Sequence, residues 1–248
     1  MGEDTSAGSS QAAMMHRLPR ARVVDRTEYL VAQARDLRVI HVGFVDAGFR
    51  EMQDQSGAWL HGHLAKSAKS LVGIDIDEPG VEMARREGYE VYVLDCRDQA
   101  AVAELALEPA DLVIAGEVLE HVDDPAGFLR GLHALVKPQG SLVVTVPNAT
   151  GLLNTAAALT GREVQHPDHI ATYTWRTLAQ LLARHGWKPT EVRTFVRPVK
   201  TRRSDGFGVR VLGFGARVVQ WIERLLGRLG APFLAEGLIV VNRPDVDA

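Results

Sequence analysis

The sequence predicts a doubly wound α/β domain, and three observations carry that prediction. An apolar run at 111–115 is followed by a helical stretch, a Lys-Pro-Gln-Gly turn and a second apolar run at 141–146. That order is the strand–helix–strand unit of a parallel sheet. Further short apolar runs at 39–43, 70–74 and 90–94 alternate with helical patterns. These runs end at or beside Gly43, Asp75 and Asp95, where an open α/β sheet holds its ligands.

Each element follows in order from its pattern. Residues 27–38 form a lead-in helix, with Tyr29, Leu30, Ala34 and Leu37 at helical spacing. Strand 39–43, helix 59–67 and strand 70–74 come next. Pro79 sits where a first helical turn tolerates proline, and that helix ends before Gly88. Strand 90–94, helix 99–105 and strand 111–115 follow. Pro125 opens a helix that runs to 136, and strand 141–146 succeeds it. Helix 174–185 carries Leu178, Leu181 and Leu182 and stops at Gly186. Runs 190–196 and 238–241 are the last strands.

Composition narrows the class. The chain has 248 residues, 46% apolar and 24% charged, enough for one sizeable globular domain. A net charge of −3 argues against a surface coated for nucleic acid. The single cysteine, Cys96, excludes an intramolecular disulfide and a cysteine-built zinc site, so a reducing cytoplasm is expected. No apolar run reaches the length of a membrane span. The polar start lacks the apolar core of a signal peptide, and residues 1–22 are expected to be a disordered tail before one domain over 23–248.

Residues 197–235 separate the last two strands and must hold structure of their own. Their first part is basic (RPVKTRRSDGFG) and reads as a loop. Their second part, 209–229, is an amphipathic helix with Arg210, Arg217, Arg224 and Arg228 on one face. Val211, Leu212, Phe214, Val218, Trp221, Ile222, Leu225, Leu226 and Leu229 fill the rest. The preferred reading packs this helix on the protein or on a homodimer mate, with a solvated basic face. The other lays it on an anionic membrane or over a lipid-like substrate.

The segment DLVxxxEVLEHVxDPxxFLxxLxxLVKPxGxLxxTVPN, at 111–148, resembles the central signature of class I S-adenosylmethionine (SAM)-dependent methyltransferases. The matching branch includes the ubiquinone-pathway O-methyltransferases. The resemblance implies a mostly parallel seven-stranded sheet whose last two strands form an antiparallel edge, a helical insertion before the last strand, and SAM as cofactor. It also implies site residues. The family's first loop reads acidic–x–Gly–x–Gly–x–Gly. Here it reads His41-Val42-Gly43-Phe44-Val45-Asp46-Ala47-Gly48, so Gly43 is retained, the other glycines are displaced or replaced, and His41 stands in place of the acid. Asp75 takes the ribose hydroxyls and Ile76 packs near the adenine, while Asp77 is an N-cap. Asp95 and Cys96 match the adenine-binding pair, and Asp98 is a cap. Gly116 and Glu117 border the sulfur.

At the reacting end stand Glu117-Val-Leu-Glu120-His121 and His166-Pro-Asp168-His169. Methyl transfer to an alcohol needs positioning and a base, and His121 or His169 is the candidate base. The two motifs also resemble the divalent-metal site of small-RNA 2′-O-methyltransferases, which makes Glu117, Glu120, His121 and His169 the alternative metal ligands; the base reading is preferred. The function expected is methyl transfer to a hydroxyl of a small-molecule acceptor, such as a sugar-containing metabolite, a glycan precursor or an aromatic natural product. Residues 149–172, with Gly151, Leu152, Leu153 and Leu159, are expected to wall the acceptor, and the insertion after Val196 to add a lid. Two rivals remain: an RNA 2′-O-methyltransferase using the basic run 193–203, and a scaffold that lost SAM with its glycine loop.

Overall fold

The computed structural model describes residues 15–46, 59–197 and 206–245. Among the described residues eight strands form one sheet: β1 (Val23–Val24), β2 (Arg38–Val42), β3 (Ser70–Asp75), β4 (Val91–Val93), β5 (Ala110–Gly116), β6 (Val136–Pro147), β7 (Trp187–Phe195) and β8 (Gly237–Pro244). Their order is β1-β7-β8-β6-β5-β2-β3-β4. Only β8 runs antiparallel to its neighbours β6 and β7. The strand count therefore exceeds the seven expected. The extra one is β1, two residues paired parallel to β7, too short to leave a pattern in the sequence. It also moves the edge: the antiparallel pair β7–β8 lies inside the sheet.

Alternation along the strands buries both faces. Ile40, Val42, Val113, Ala115, Leu142, Val144 and Val146 join one core, and Val39, Leu112, Ile114 and Val143 join the other. On the second face lie α1 (Arg26–Ala34) and α2 (Leu60–Ala65), through Leu30, Ala34, Leu60 and Leu64. On the first lie α4 (Gln99–Glu104), α5 (Pro125–Gly131) and α7 (Trp175–Arg184). α3 (Glu78–Arg86) covers a smaller cluster with Phe44 and Val45. Two further helices, α6 (Leu152–Ala158) and α8 (Phe207–Arg228), follow β6 and β7. Trp187 is fully buried, donates from its indole to Leu129 O at 2.9 Å and stacks on His133. Truncating such a residue costs about 3–5 kcal/mol.

Local chemistry sets the boundaries. Asp25, Asp77, Asp98 and Asp124 each cap a helix by accepting backbone N–H bonds, which confirms the cap expected of Asp77 and Asp98. Thr174 and Thr177 form a reciprocal capping pair on α7. The helix expected from Pro125 to 136 is shorter: α5 stops at Gly131, a 3₁₀ turn covers Leu132–Leu135, and Val136 already belongs to β6. The Lys-Pro-Gln-Gly segment is an irregularity inside β6, where the pairing jumps from Ala110↔Val136 to Leu112↔Ser141. A Cβ on Gly140 would stand 2.9 Å from Ala110 O, so the loop can only close on glycine.

Residues 18–22, expected within the tail, lie along the protein. Thr194 N donates to Arg22 O, and Leu18–Arg22 line a cavity of about 670 Å³ with Thr150, Trp175 and Phe233. Residues 1–14 lie outside the described residues, as do Ala47, Gly48 and most of the basic loop after Arg197. Among the described residues no helix is long and apolar enough to cross a membrane.

Candidate active site

The carboxyl ends of β2, β3, β4 and β5 lie side by side, and they bring Gly43, Asp75, Asp95 and Gly116 to one edge. Gly43 has φ +73°, and a Cβ there would meet Val118 Cγ2 at 2.1 Å. Both facts demand glycine. The next residues depart from a glycine loop in a compensated way. Phe44 and Val45 turn inward and are almost fully buried. Gly73 leaves room for Phe44, since a Cβ would stand 2.8 Å from its ring, and Gly80 leaves room for Val45. Trp59 closes the cluster and donates its indole N–H to Phe44 O.

Asp75 is where these pieces meet. Its Oδ2 accepts from Val45 N at 2.9 Å and its Oδ1 from Asp77 N at 3.0 Å. Burial raises its pKa, against these hydrogen bonds, which favour the anion. The carboxylate thus ties the first loop to the second strand end while keeping lone pairs for a ligand. Ile76 beside it is 68% exposed, an apolar side chain left uncovered at the strand end. Asp95 is held by Arg97, which contacts both its oxygens and reaches Asp123. The Arg97 hydrogen bonds lower its pKa. Cys96 is buried, its thiol is pushed up to about 12 by burial, and its backbone touches the close approach of Gly131. His41, standing in the family's acid position, is buried against His61, with Nδ1 atoms 3.3 Å apart. Burial and His61 hold it neutral, so it carries no charge toward a ligand.

At the end of β5, Glu117 takes φ +59°, an uncommon conformation for a side chain other than glycine. The turn holds because Glu117 N donates to Thr145 O at 2.8 Å. Two arginines flank the carboxylate: Arg197 donates to Glu117 Oε2 at 3.0 Å, and Arg26 stands 4.0 Å away. Arg197 also binds Glu236 at 2.9 Å, and Arg26 binds Thr145 Oγ1 at 3.2 Å. A 3₁₀ turn, Leu119–His121, then turns Glu120 inward and His121 outward.

Glu120 is fully buried, and neither carboxylate oxygen has a hydrogen-bond partner among the described residues. Burial and the neighbouring Glu117 push its pKa up to about 8. His169 Nε2 lies 3.9 Å from Glu120 Oε1. The segment carrying His169 is pinned by Ile170 N and Ala171 N, which both donate to Glu120 O. His169 Nδ1 contacts Gln165 Oε1 at 3.2 Å, and His121 Nδ1 contacts Asp168 O at 3.2 Å. Oxygen acceptors at both Nδ1 atoms assign a proton to each of them, which leaves Nε2 as the ring nitrogen available to a ligand. Burial, then His121 and His166, lower the His169 pKa, so the imidazole is neutral. The rings of His121 and His169 are 4.7 Å apart.

The expected residues thus fall into two groups. Gly43, Asp75, Ile76, Asp95, Cys96 and Gly116 lie along the strand ends, and Glu117, Glu120, His121 and His169 gather beside them. The sequence missed Arg26, Arg197 and Thr145, and it placed His166 in a motif without giving it a role. Arg197 was legible only as part of a basic run, and Arg26 lies one residue before the expected lead-in helix, whose observed start is Arg26. His121, His166 and His169 form one cluster that could hold a metal ion. A cavity of about 450 Å³ lies against His166 and His169, lined also by Glu163, Gln165 and Ile170. Gly151, Leu152, Leu153 and Leu159, expected in the acceptor wall, are not among its lining residues, and Leu159 is 86% exposed.

Residues 55–192, more than half of the chain, match the family described as "Methyltransferase domain". The ubiquinone biosynthesis O-methyltransferase of Caulobacter vibrioides is 31% identical over 157 residues, covering 62% of this chain and 59% of that protein. The protein of the same name from Marinobacter nauticus is 30% identical over 124 residues, covering 46% and 52%. The chain therefore spans about half the length of these relatives. A SAM-dependent methyltransferase from Archaeoglobus fulgidus has the same fold, with a TM-score of 0.50 and 16% identity over 87% of this chain and 93% of that one.

Proposed function

The chain belongs to the methyltransferase-domain family of class I SAM-dependent enzymes, and on that premise we propose that it methylates a hydroxyl of a small-molecule acceptor. One observation carries the acceptor chemistry: His169 offers a neutral Nε2 beside a cavity, its Nδ1 fixed by Gln165. SAM supplies the methyl group and a good leaving group. Gly43 lets the loop backbone approach the amino-acid end, Asp75 accepts from the ribose hydroxyls, and Ile76 covers one side of the adenine. Asp95 and the Cys96 amide face the adenine edge, and Gly116 with Glu117 borders the sulfur. His169 takes the acceptor proton as the oxygen attacks in line, and the nearby Arg197 stabilises the negative charge that develops. His121 is the second candidate base.

A divalent ion is the second reading, favoured by one observation. The two Glu120 oxygens are buried without a hydrogen-bond partner among the described residues, beside two histidines whose Nδ1–H groups are held by oxygen atoms. Metal-bound histidines are held in that way. His121, His166 and His169 have ligand atoms close enough to share such an ion, Glu120 lies 3.9 Å from His169, and Glu117 is at the margin because Arg197 engages it. The ion would acidify the acceptor hydroxyl.

RNA is the weaker acceptor. In the described part of the basic run, Arg193 pairs with Glu191 and Arg197 with Glu117 and Glu236. A scaffold role is weaker still, because the strand-end residues keep their register although the loop has changed.

The test is S-adenosylhomocysteine release from SAM with phenols, catechols and sugars as acceptors, with and without Mn²⁺. Release with a hydroxyl acceptor, lost in His169→Ala, supports the reading. Release with amines alone, or unchanged release in that variant, overturns it.

A further inference from the structure

The helix α8 packs on the protein by its polar side. Gly213, Gln220 and Glu223 are buried, Glu223 accepts from Leu153 N at 3.2 Å, and Gly227 touches Val23. Its outward side is apolar. Val211, Phe214, Val218, Trp221, Leu225 and Leu229 recur at steps of three and four and are all exposed, Phe214 by 64% and Trp221 by 62%. Arg217, Arg224 and Arg228 run along one flank of this stripe and are exposed too. A helix of 22 residues is about 33 Å long, so the stripe is extensive. The helix packs on the protein with its basic residues exposed, as the preferred reading expects, but most of its large apolar residues face outward, with only Val219, Ile222 and Leu226 half-buried.

We propose that α8 is a peripheral membrane anchor that lies flat in the headgroup region of an anionic bilayer. Charge complementarity selects that occupant. The helix's one acid, Glu223, is buried on the inner side, so every charge described on the outer side is an arginine. A second copy would bring the same arginine edge. In an antiparallel two-fold pairing the two edges fall on the same side of the seam and repel. An anionic lipid surface meets both features at once: it solvates Phe214, Trp221 and Leu225 in its acyl boundary and neutralises the arginines at its phosphates. No described helix can span a bilayer, so the helix rests on it. The inference does not depend on methyl transfer, which vesicle binding does not measure.

The test is co-sedimentation of the full chain with phosphatidylcholine vesicles, with and without phosphatidylglycerol, at low and high salt. Binding to the anionic vesicles, weakened by salt and accompanied by a blue shift of tryptophan emission, is expected. Replacing Arg217, Arg224 and Arg228 together by Gln should weaken it by at least about tenfold. Trp221→Ser should abolish the blue shift without changing the thermal unfolding of an exposed site. Failure to bind anionic vesicles, equal binding by the triple variant, or a solution dimer that dissociates in Trp221→Ser each overturns the proposal.

Discussion

His169 Nε2 lies 3.9 Å from Glu120 Oε1, a buried carboxylate whose oxygens have no hydrogen-bond partner among the described residues. With its pKa pushed up to about 8, Glu120 holds a proton at neutral pH, while His169 is held neutral. An accepting imidazole therefore faces a neutral acid. His169→Ala is expected to lower turnover by about 10²–10⁴-fold, the usual contribution of a general base. Binding of SAM, followed by calorimetry, should change less than about twofold, because the histidine touches no strand-end residue. Loss of SAM affinity in this variant would contradict that division of labour.

Asp75 binds two backbone amides of the strand-end loops, and the proposed ribose contact adds to them. Asp75→Ala is expected to weaken SAM by about ten- to a hundredfold, the worth of charged hydrogen bonds at 1.5–3 kcal/mol. Thermal unfolding of the SAM-free variant measures the structural share separately. Unchanged SAM affinity would remove Asp75 from the cofactor site.

Gly43 and Val118 are coupled by space, since any Cβ at 43 collides with Val118 Cγ2. Gly43→Ala should destabilise the protein by more than about 1 kcal/mol, through both the clash and the positive φ. Val118→Ala in the same chain should recover part of that loss. A double-mutant cycle in urea checks the coupling, and strict additivity of the two changes would contradict it.

Glu223 gives a pH signature. Burial first, then Glu236, pushes its pKa up to about 7, above the ordinary carboxylate range. A raised folded pKa means that the fold prefers the protonated form. The stability it contributes is complete below about pH 4.5 and is lost as pH rises through 7. Glu223→Gln imitates the protonated state and keeps an oxygen for Leu153 N. It should match the parent protein at pH 4.5 and exceed it by about 1–3 kcal/mol above pH 8. Unfolding free energies across that range check the sign, and a gain confined to low pH would contradict it.

Much of the frame was legible because its signals are local. The alternation of β2, β5 and β6, the aspartate caps and the glycine after α7 each depend on neighbouring residues alone. The strand ends were legible for the same reason, since Asp75 and Asp95 follow directly from their strands. What escaped depends on distance in sequence. β1 exists only because Val23–Val24 meets Thr194–Phe195. Arg26 and Arg197 reach Glu117 from positions 91 residues before and 80 after it. The inward turn of Phe44 and Val45 depends on glycines at 73 and 80, which look like ordinary strand and helix residues. In α8 the spacing gave the helix but not which side meets the protein, because its polar side holds Gln220 and Glu223 for partners far along the chain.

The most direct measurement is a calorimetric titration of the purified chain with SAM and S-adenosylhomocysteine, with and without Mg²⁺ or Mn²⁺ and after chelation. Micromolar binding of both ligands is expected, showing that a loop with buried Phe44 and Val45 still admits the cofactor. Absence of binding of either ligand under every condition would contradict the cofactor site, and with it the proposal that this member of the family transfers methyl groups.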